Sequence, residues 1–441
     1  MRCAGVILRA FVALPSGRAF LLFGIKANIG SVGKGDQKMT KPMDWRAARD
    51  LLLERAVPVL TETVSLDNAA GRILAAPTAA LREVPPFDRS PFDGYAFRSA
   101  DTAGELPVTL TILEEVPAGA VPTRTVTYGT AVKILTGAPI PSGADAVSKF
   151  EETDFTPETV TLKRAYQPGE NLICRGEDVH VGMELTRAGQ TVDAGVAGAL
   201  WSQGVGSVLV YRRPRVAVIT TGSELEEGTA SPTEGRIPNS NRPAFETALR
   251  LAGAEPVYYG TPKDDCAAIA ALLERALKEC DMVLTTGGVS VGDYDLTPAA
   301  LECAGAEIVV RNIGLKPGGK CCFGWKNGKF AACLSGNPAS ALTCFYAVAL
   351  PVLRRLCGRE QAALPEVSAR LGADFKKGGK QTRLVRGRLS ADEHGLVFYP
   401  AAQQGNGALH TLAGANALAE IPSGAGPQSA GAMLRVSYFG I

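Results

Sequence analysis

VAVITTGSEL (residues 216–225), DMVLTTGG (281–288) and GKFAACLSGNP (328–338) share one pattern. Each is an apolar run of strand length that ends in hydroxyl residues and glycine. The segments between and after them read as helices: NSNRPAFETALRLAGA (239–254), DDCAAIAALLERALKE (264–279), TPAALECAGA (297–306) and NPASALTCFYAVALPVLRRL (337–356). EPVYYG (255–260) and AEIVVRNIG (306–314) add two further strands. Strands that alternate with helices of about a dozen residues imply βαβ units and a parallel sheet covered on both faces. The spacing therefore predicts an α/β domain over 214–358.

Outward from that core the pattern changes. MDWRAARDLLLERA (43–56) places Trp45, Ala48, Leu51, Leu52 and Ala56 on one helical face. Residues 71–179 are punctuated by proline and glycine, with short β-branched runs such as PVTLTIL and TVTYGTAVKIL, and read as a β-rich domain. Residues 180–213 hold a helix followed by a strand and are grouped with 43–70 as a discontinuous linker domain. Residues 359–441 have short alternating runs and read as a small C-terminal β domain. The expected fold is thus multidomain, α/β plus β. Residues 1–42 are read as an extension, disordered or from an upstream start codon, with a targeting peptide as the alternative. Arg9, Pro15 and Arg18 interrupt its apolar run, so it is not expected to span a membrane.

Composition narrows the partners. A formal net charge of +2 with 20% charged residues leaves no field for nucleic acid, so any anion must be held locally. The ten cysteines show no CxxC pairing and are read as reduced thiols of a cytoplasmic protein. The adjacent Cys321 and Cys322 are read as strand residues first and as a reactive pair second. The three histidines lack metal-ligand spacing, so a histidine-held zinc or iron is not expected.

Chemistry concentrates at the strand ends, where open parallel sheets bind ligands. Thr221-Gly222, Gly287-Gly288, Ser290, Gly292 and Ser335-Gly336-Asn337-Pro338 mark three such ends. Glycine lets backbone N–H groups approach a phosphate, and a helix N-terminus behind it favours the anion. Acids lie among these loops: Glu224, Asp264, Asp265, Asp293 and Asp295. A carboxylate beside a phosphate loop repels the ligand unless a divalent cation lies between them, which suggests Mg²⁺. For Asp264 and Asp265 a capping role is an equal reading. Lys316 in GLKPGGK supplies positive charge, or else is a solvated lysine. A second polar cluster, PPFDRSPFDGYA (85–96), lies in the β-rich region, where Asp93-Gly94 reads as a turn.

Taken together these segments resemble the molybdopterin molybdenumtransferase family, to which bacterial MoeA and the gephyrin E domain belong. The resemblance is carried by PPFDRSPFDGYA (85–96), ILTGAPIPSGADAV (134–147), NLICRGEDV (171–179), ITTGSEL (219–225), IPNSNR (237–242), TTGGVSVGDYD (285–295), LKPGG (315–319) and LSGNPASAL (334–342). It implies a central domain like molybdopterin adenylyltransferase and a homodimer whose cleft lies between that domain and the partner's β-rich domain. The implied reaction inserts molybdate into adenylated molybdopterin with release of AMP and needs Mg²⁺. Catalytic positions carried over are Asp93, Thr136 and Asp178 on the β-rich side, and Glu224, Asp264, Asp295 and Lys316 on the sheet side. Glu224, Asp264 and Asp295 are the implied metal ligands. Molybdopterin adenylyltransferase and recipient molybdoenzymes are the implied partners, with neither nucleic acid nor membrane.

The chain departs from the family at Arg89-Ser90-Pro91-Phe92, at Leu172-Ile173-Cys174, at Asn312 and at Gly319-Lys320, where PGKP becomes PGGK. The competing readings are a non-catalytic pterin-binding, delivery or scaffold protein, and a tungstate-preferring paralogue.

Overall fold

The computed structural model describes residues 42–228, 231–289 and 296–440. Its centre is a six-stranded sheet in the order Glu255–Gly260, Arg215–Thr220, Met282–Thr286, Lys329–Leu334, Cys322–Lys326, Glu307–Arg311. The first four strands are mutually parallel. Cys322–Lys326 runs against them and Glu307–Arg311 pairs antiparallel with it in turn, so the sheet is mixed rather than wholly parallel. The cause is local. Asn327 and Gly328 adopt φ of 49° and 75°, the left-handed pair that a two-residue hairpin turn needs. The chain therefore folds back at once from Cys322–Lys326 into Lys329–Leu334, with no crossover helix between them.

Alternating side chains of the central strands feed two cores. Val216 and Val218 pack with Phe245, Leu284, Phe345 and Leu353 on one face. Ala217 and Ile219 pack with Ile269, Leu273, Val283 and Leu301 on the other. Each large apolar side chain so buried contributes about 1.5–3 kcal/mol. Helix Trp45–Arg55 buries Trp45, Ala48 and Leu52 in the first of these cores. It thus packs on the α/β layer, not on residues 180–213, with which its sequence position had grouped it.

Residues 337–356 form one long helix with a π segment at Phe345–Ala349 between Pro338–Cys344 and Leu350–Leu356. Pro351 has no N–H to donate, and the widened turn just before it relieves the resulting clash. By length and composition Pro338–Leu356 could cross a bilayer, but 83% of it is buried inside the fold, as befits a core helix. Cys321 and Cys322 are both buried, and burial raises the Cys322 thiol pKa well above its ordinary value. This matches the strand reading and not the reactive one.

Three other units surround this centre. Thr61–Ser65 pairs antiparallel with Ser207–Tyr211 beside helix Ala194–Ser202. A six-stranded sheet runs Ala146–Lys149, Gly94–Phe97, Thr130–Ile134, Val108–Val116, Thr159–Leu162, Thr153–Phe155. At the C-terminal end, Thr382–Asp392 pairs with both Gly395–Pro400 and Ala417–Ile421. Glu366–Leu371 and Met433–Tyr438 complete the ring, closing a five-stranded barrel without free edges. The short strand Leu315–Lys316 leaves the α/β layer to pair with Thr382–Arg383 of this barrel.

Candidate active site

The chain passes from Arg215–Thr220 to a neighbour on one side and then to Met282–Thr286 on the other. That reversal is the switch point at which open α/β sheets leave a crevice. A cavity of about 750 Å³ opens there, lined by Thr221, Gly222, Glu224, Asp264, Gly287, Gly288, Lys316, Ser335, Gly336 and Asn337 among others. Most of the sheet-side residues singled out in the sequence therefore share one cleft. Pro338 does not line it; as the first residue of the core helix it aims the helix N-terminus, through Asn337 and Ser340, at the cavity. Ser290, Gly292, Asp293 and Asp295 lie outside the described residues.

Close packing explains the glycines. At Gly287 a methyl group would stand 2.4 Å from both Oγ1 and the carbonyl oxygen of Thr221, and at Gly288 it would stand 2.3 Å from Thr297 Oγ1. Both also have positive φ, 102° and 64°, which a side chain would strain. Thr297 fixes the loop by donating its hydroxyl to the Gly287 carbonyl at 3.0 Å. Asn241 joins the third strand end, donating Nδ2 to the Gly336 carbonyl at 2.8 Å and to Thr286 Oγ1 at 3.2 Å. Backbone N–H groups divide sharply. Those of Thr221 and Gly287 bond Thr286 and Leu334 carbonyls. Those of Gly222, Gly288 and Gly336 donate to no described residue, which leaves them free for an oxyanion.

The adjacent acids also divide. Asp265 caps helix Cys266–Glu279, accepting from the Ala268 N–H at 2.8 Å. Asp264 instead turns to the cavity and accepts the Ser223 N–H at 3.0 Å. The Glu224 carboxylate folds back over Gly222, where a methyl would meet Oε2 at 2.6 Å; it makes no side-chain hydrogen bond to a described residue. Opposite stand the exposed Lys316 and Lys320. The shift from PGKP to PGGK has a steric reading: a side chain on Gly319 would meet the Leu315 carbonyl at 2.4 Å, and Lys320 reaches the same cavity. Asn312, at φ 60°, lines the wall too.

Sequence reading missed Gln381 and Asn406, which the barrel contributes to the rim. The Asn406 carbonyl accepts the Ser340 N–H at 3.2 Å. Neither lies in a motif, and only tertiary packing brings them near.

The second cluster is built differently. Asp93 Oδ1 accepts from the Thr136 N–H at 2.6 Å and from its hydroxyl at 2.7 Å. The Thr136 hydroxyl bond, reinforced by the backbone bond, holds the Asp93 carboxyl below the usual carboxylate range. Gly94 is not in a turn; it opens strand Gly94–Phe97, and a methyl on it would stand 1.7 Å from the Ser148 carbonyl oxygen. Asp178 is exposed on a loop whose N–H bonds the Val84 carbonyl at 3.0 Å. Asp93, Thr136 and Asp178 do not line the cavity at the sheet. Within one chain the two clusters remain separate.

These features define an α/β protein with a polar, glycine-lined cleft at its switch point, flanked by two β units. The family descriptions agree in order and extent. Residues 43–204 match the MoeA N-terminal region (domain I and II), 217–355 a probable molybdopterin binding domain, and 368–439 the MoeA C-terminal region (domain IV). The molybdopterin molybdenumtransferase of Staphylococcus epidermidis is 33% identical over 386 residues, 87% of this chain and 92% of that protein. That of Staphylococcus aureus is 34% identical over 365 residues, 82% and 87% respectively. The crystal structure of the molybdopterin biosynthesis MoeA protein from Pyrococcus horikoshii OT3 superposes with a TM-score of 0.79 at 31% identity, over 90% of this chain and all of that one. The chain belongs to the molybdopterin molybdenumtransferase (MoeA) family.

Proposed function

We infer that the protein is a molybdopterin molybdenumtransferase, inserting molybdate into the dithiolene of adenylated molybdopterin with release of AMP. One observation carries this reading. Three unengaged glycine N–H groups, two carboxylates and two lysines converge on one cavity. A non-catalytic binder has no need for Glu224 and Asp264 beside an oxyanion cradle.

The geometry supports the following roles. The N–H groups of Gly222, Gly288 and Gly336 hold the phosphate of the adenylate. Lys316 and Lys320 offset the charge of phosphate and molybdate and stabilise charge that develops as water cleaves the phosphoanhydride joining the pterin phosphate to AMP. Glu224 and Asp264 supply hard oxygen donors, and a Mg²⁺ usually takes one or two carboxylates together with substrate phosphate. When bound, the Mg²⁺ would supply Lewis-acid charge. Asp295 is proposed to complete the donor set.

We assign Asp93, Thr136 and Asp178 to the facing wall of a partner's cleft in a homodimer, because one chain keeps them apart from its own cavity. Molybdopterin adenylyltransferase would deliver the substrate, and recipient molybdoenzymes would take the product.

The test is Glu224→Gln. It should bind adenylated molybdopterin as the parent does and fail to release AMP when molybdate is added. Undiminished AMP release from that variant would remove Glu224 from the chemistry.

A further inference from the structure

At the far end of the core helix lies a second charged cleft, which the reaction does not use. Arg354 and Arg359 and the loop 184–191 enclose about 540 Å³. Arg354 is half-buried and donates Nη1 to the Ala363 carbonyl at 3.2 Å. Arg359 donates Nη1 to Thr191 Oγ1 at 3.3 Å. Neither guanidinium forms an ion pair with a described residue. Of the carboxylates at the rim, Glu184 is engaged by Arg187 at 2.6 Å, and Glu360 is exposed and makes no described ion pair.

The local excess of positive charge extends further. Burial, and then the charge of Arg359, lower the Arg354 pKa. The Cys357 thiol beneath feels Arg359, Arg354, Arg213 and Arg72 together, and of these only Arg72 has a described carboxylate partner, Glu62. A helix C-terminus favours cations, which accounts for arginines here. It does not account for two of them drawn together and partly out of water with no ion-pair partner among the described residues, an arrangement that costs stability.

Beside this cleft is an apolar hollow of about 360 Å³ that shares Arg354 and Arg359 and is lined by Leu251, Leu350, Tyr346 and Phe439. The last two rings stack at 4.0 Å. The two spaces together suit a ligand with a doubly charged head and a ring or aliphatic body. Guanidinium forks match phosphate geometry.

We propose that Arg354 and Arg359 form a binding site for a phosphate monoester, with its phosphate between the two guanidiniums and its organic part in the adjoining hollow. The site is distinct from the molybdate-insertion cleft.

Thermal unfolding of the full chain tests this, with inorganic phosphate and phenyl phosphate as probes at constant ionic strength set by chloride. Either probe at roughly tenfold above its Kd should raise Tm by about 2 °C, and phenyl phosphate should do so at lower concentration. Arg359→Gln should lose that rise while its Tm in phosphate-free chloride stays at or above the parent's, because a repulsion has been removed. Lys316→Ala, which alters the other cleft, should keep the rise. An equal phosphate response in the parent and Arg359→Gln, or loss of the response in Lys316→Ala alone, would overturn the proposal.

Discussion

Asp264 and Asp265 are neighbours with different tasks: Asp265 caps a helix and Asp264 faces the cavity. Their residue types are equally good caps, and only the direction of each side chain separates them, so the sequence left the choice open. Asp265→Ala should therefore cost about 1 kcal/mol of stability and leave turnover intact, as urea unfolding and AMP release can establish. Lys316→Ala should behave oppositely, keeping stability and losing about 10²–10³ in kcat.

Asp93 makes a titration prediction. Its two bonds from Thr136 depress its pKa, so the stabilisation they give is complete above the carboxylate's ordinary pKa and is lost as pH falls through the depressed folded value. Thr136→Val keeps the backbone bond and removes the hydroxyl. The Asp93 midpoint, read by carboxyl ¹³C NMR, should then rise toward about 3.9; an unmoved midpoint would contradict the assignment of cause. Asp93-Gly94 itself was misread as a turn, because glycine serves turns and close strand approaches alike. Gln381 and Asn406 left no signal, since nothing local marks a residue whose role comes from a distant loop.

Elements were legible where periodicity was strong. The apolar runs ending in Thr-Gly gave the parallel strands, and the face Trp45, Ala48, Leu52 gave its helix. The mixed sheet was recoverable too. Asn327-Gly328 is a strong hairpin signal, but the helices on either side favoured a βαβ reading over it. The π segment at Phe345–Ala349 is not visible in an apolar run read as one helix.

Two substitutions test what holds the elements together. Gly94→Ala must separate the strand from Ser148, an overpacking worth roughly 1–3 kcal/mol or more, visible as a lower Tm. Asp281 joins the sheet to the linker unit that ends in strand Ser207–Tyr211, accepting from both Arg212 Nη atoms at 2.7 and 2.6 Å and from the Arg215 N–H at 2.8 Å. Burial alone would raise its pKa, but these bonds and Lys329 outweigh it and lower it. Asp281→Asn leaves Arg212 without its counter-charge and should cost on the order of 3 kcal/mol. The parent should lose the same contribution only as pH falls below the ordinary carboxylate range.

For the molecule as a whole, the α/β core with two flanking β units was readable from changes in pattern along the chain. The packing of Trp45–Arg55 on the α/β layer was not, because sequence adjacency does not reveal which core an amphipathic face enters. The separation of the Asp93–Thr136 cluster from the cavity has a consequence for assembly. If the facing walls come from two subunits, Asp93→Ala and Lys316→Ala homodimers should each be inactive. Their mixture, after dissociation and reassociation, should recover up to about one quarter of parental activity, since half the dimers are mixed and each holds one intact cleft. No recovery in demonstrated mixed dimers would remove the shared cleft.

The most direct test of the central claim is AMP release from adenylated molybdopterin in the presence of Mg²⁺, measured with and without molybdate. Release that depends on molybdate is the predicted result. Tight binding of the adenylated pterin with no release in either condition would contradict the transferase assignment and leave a binding protein.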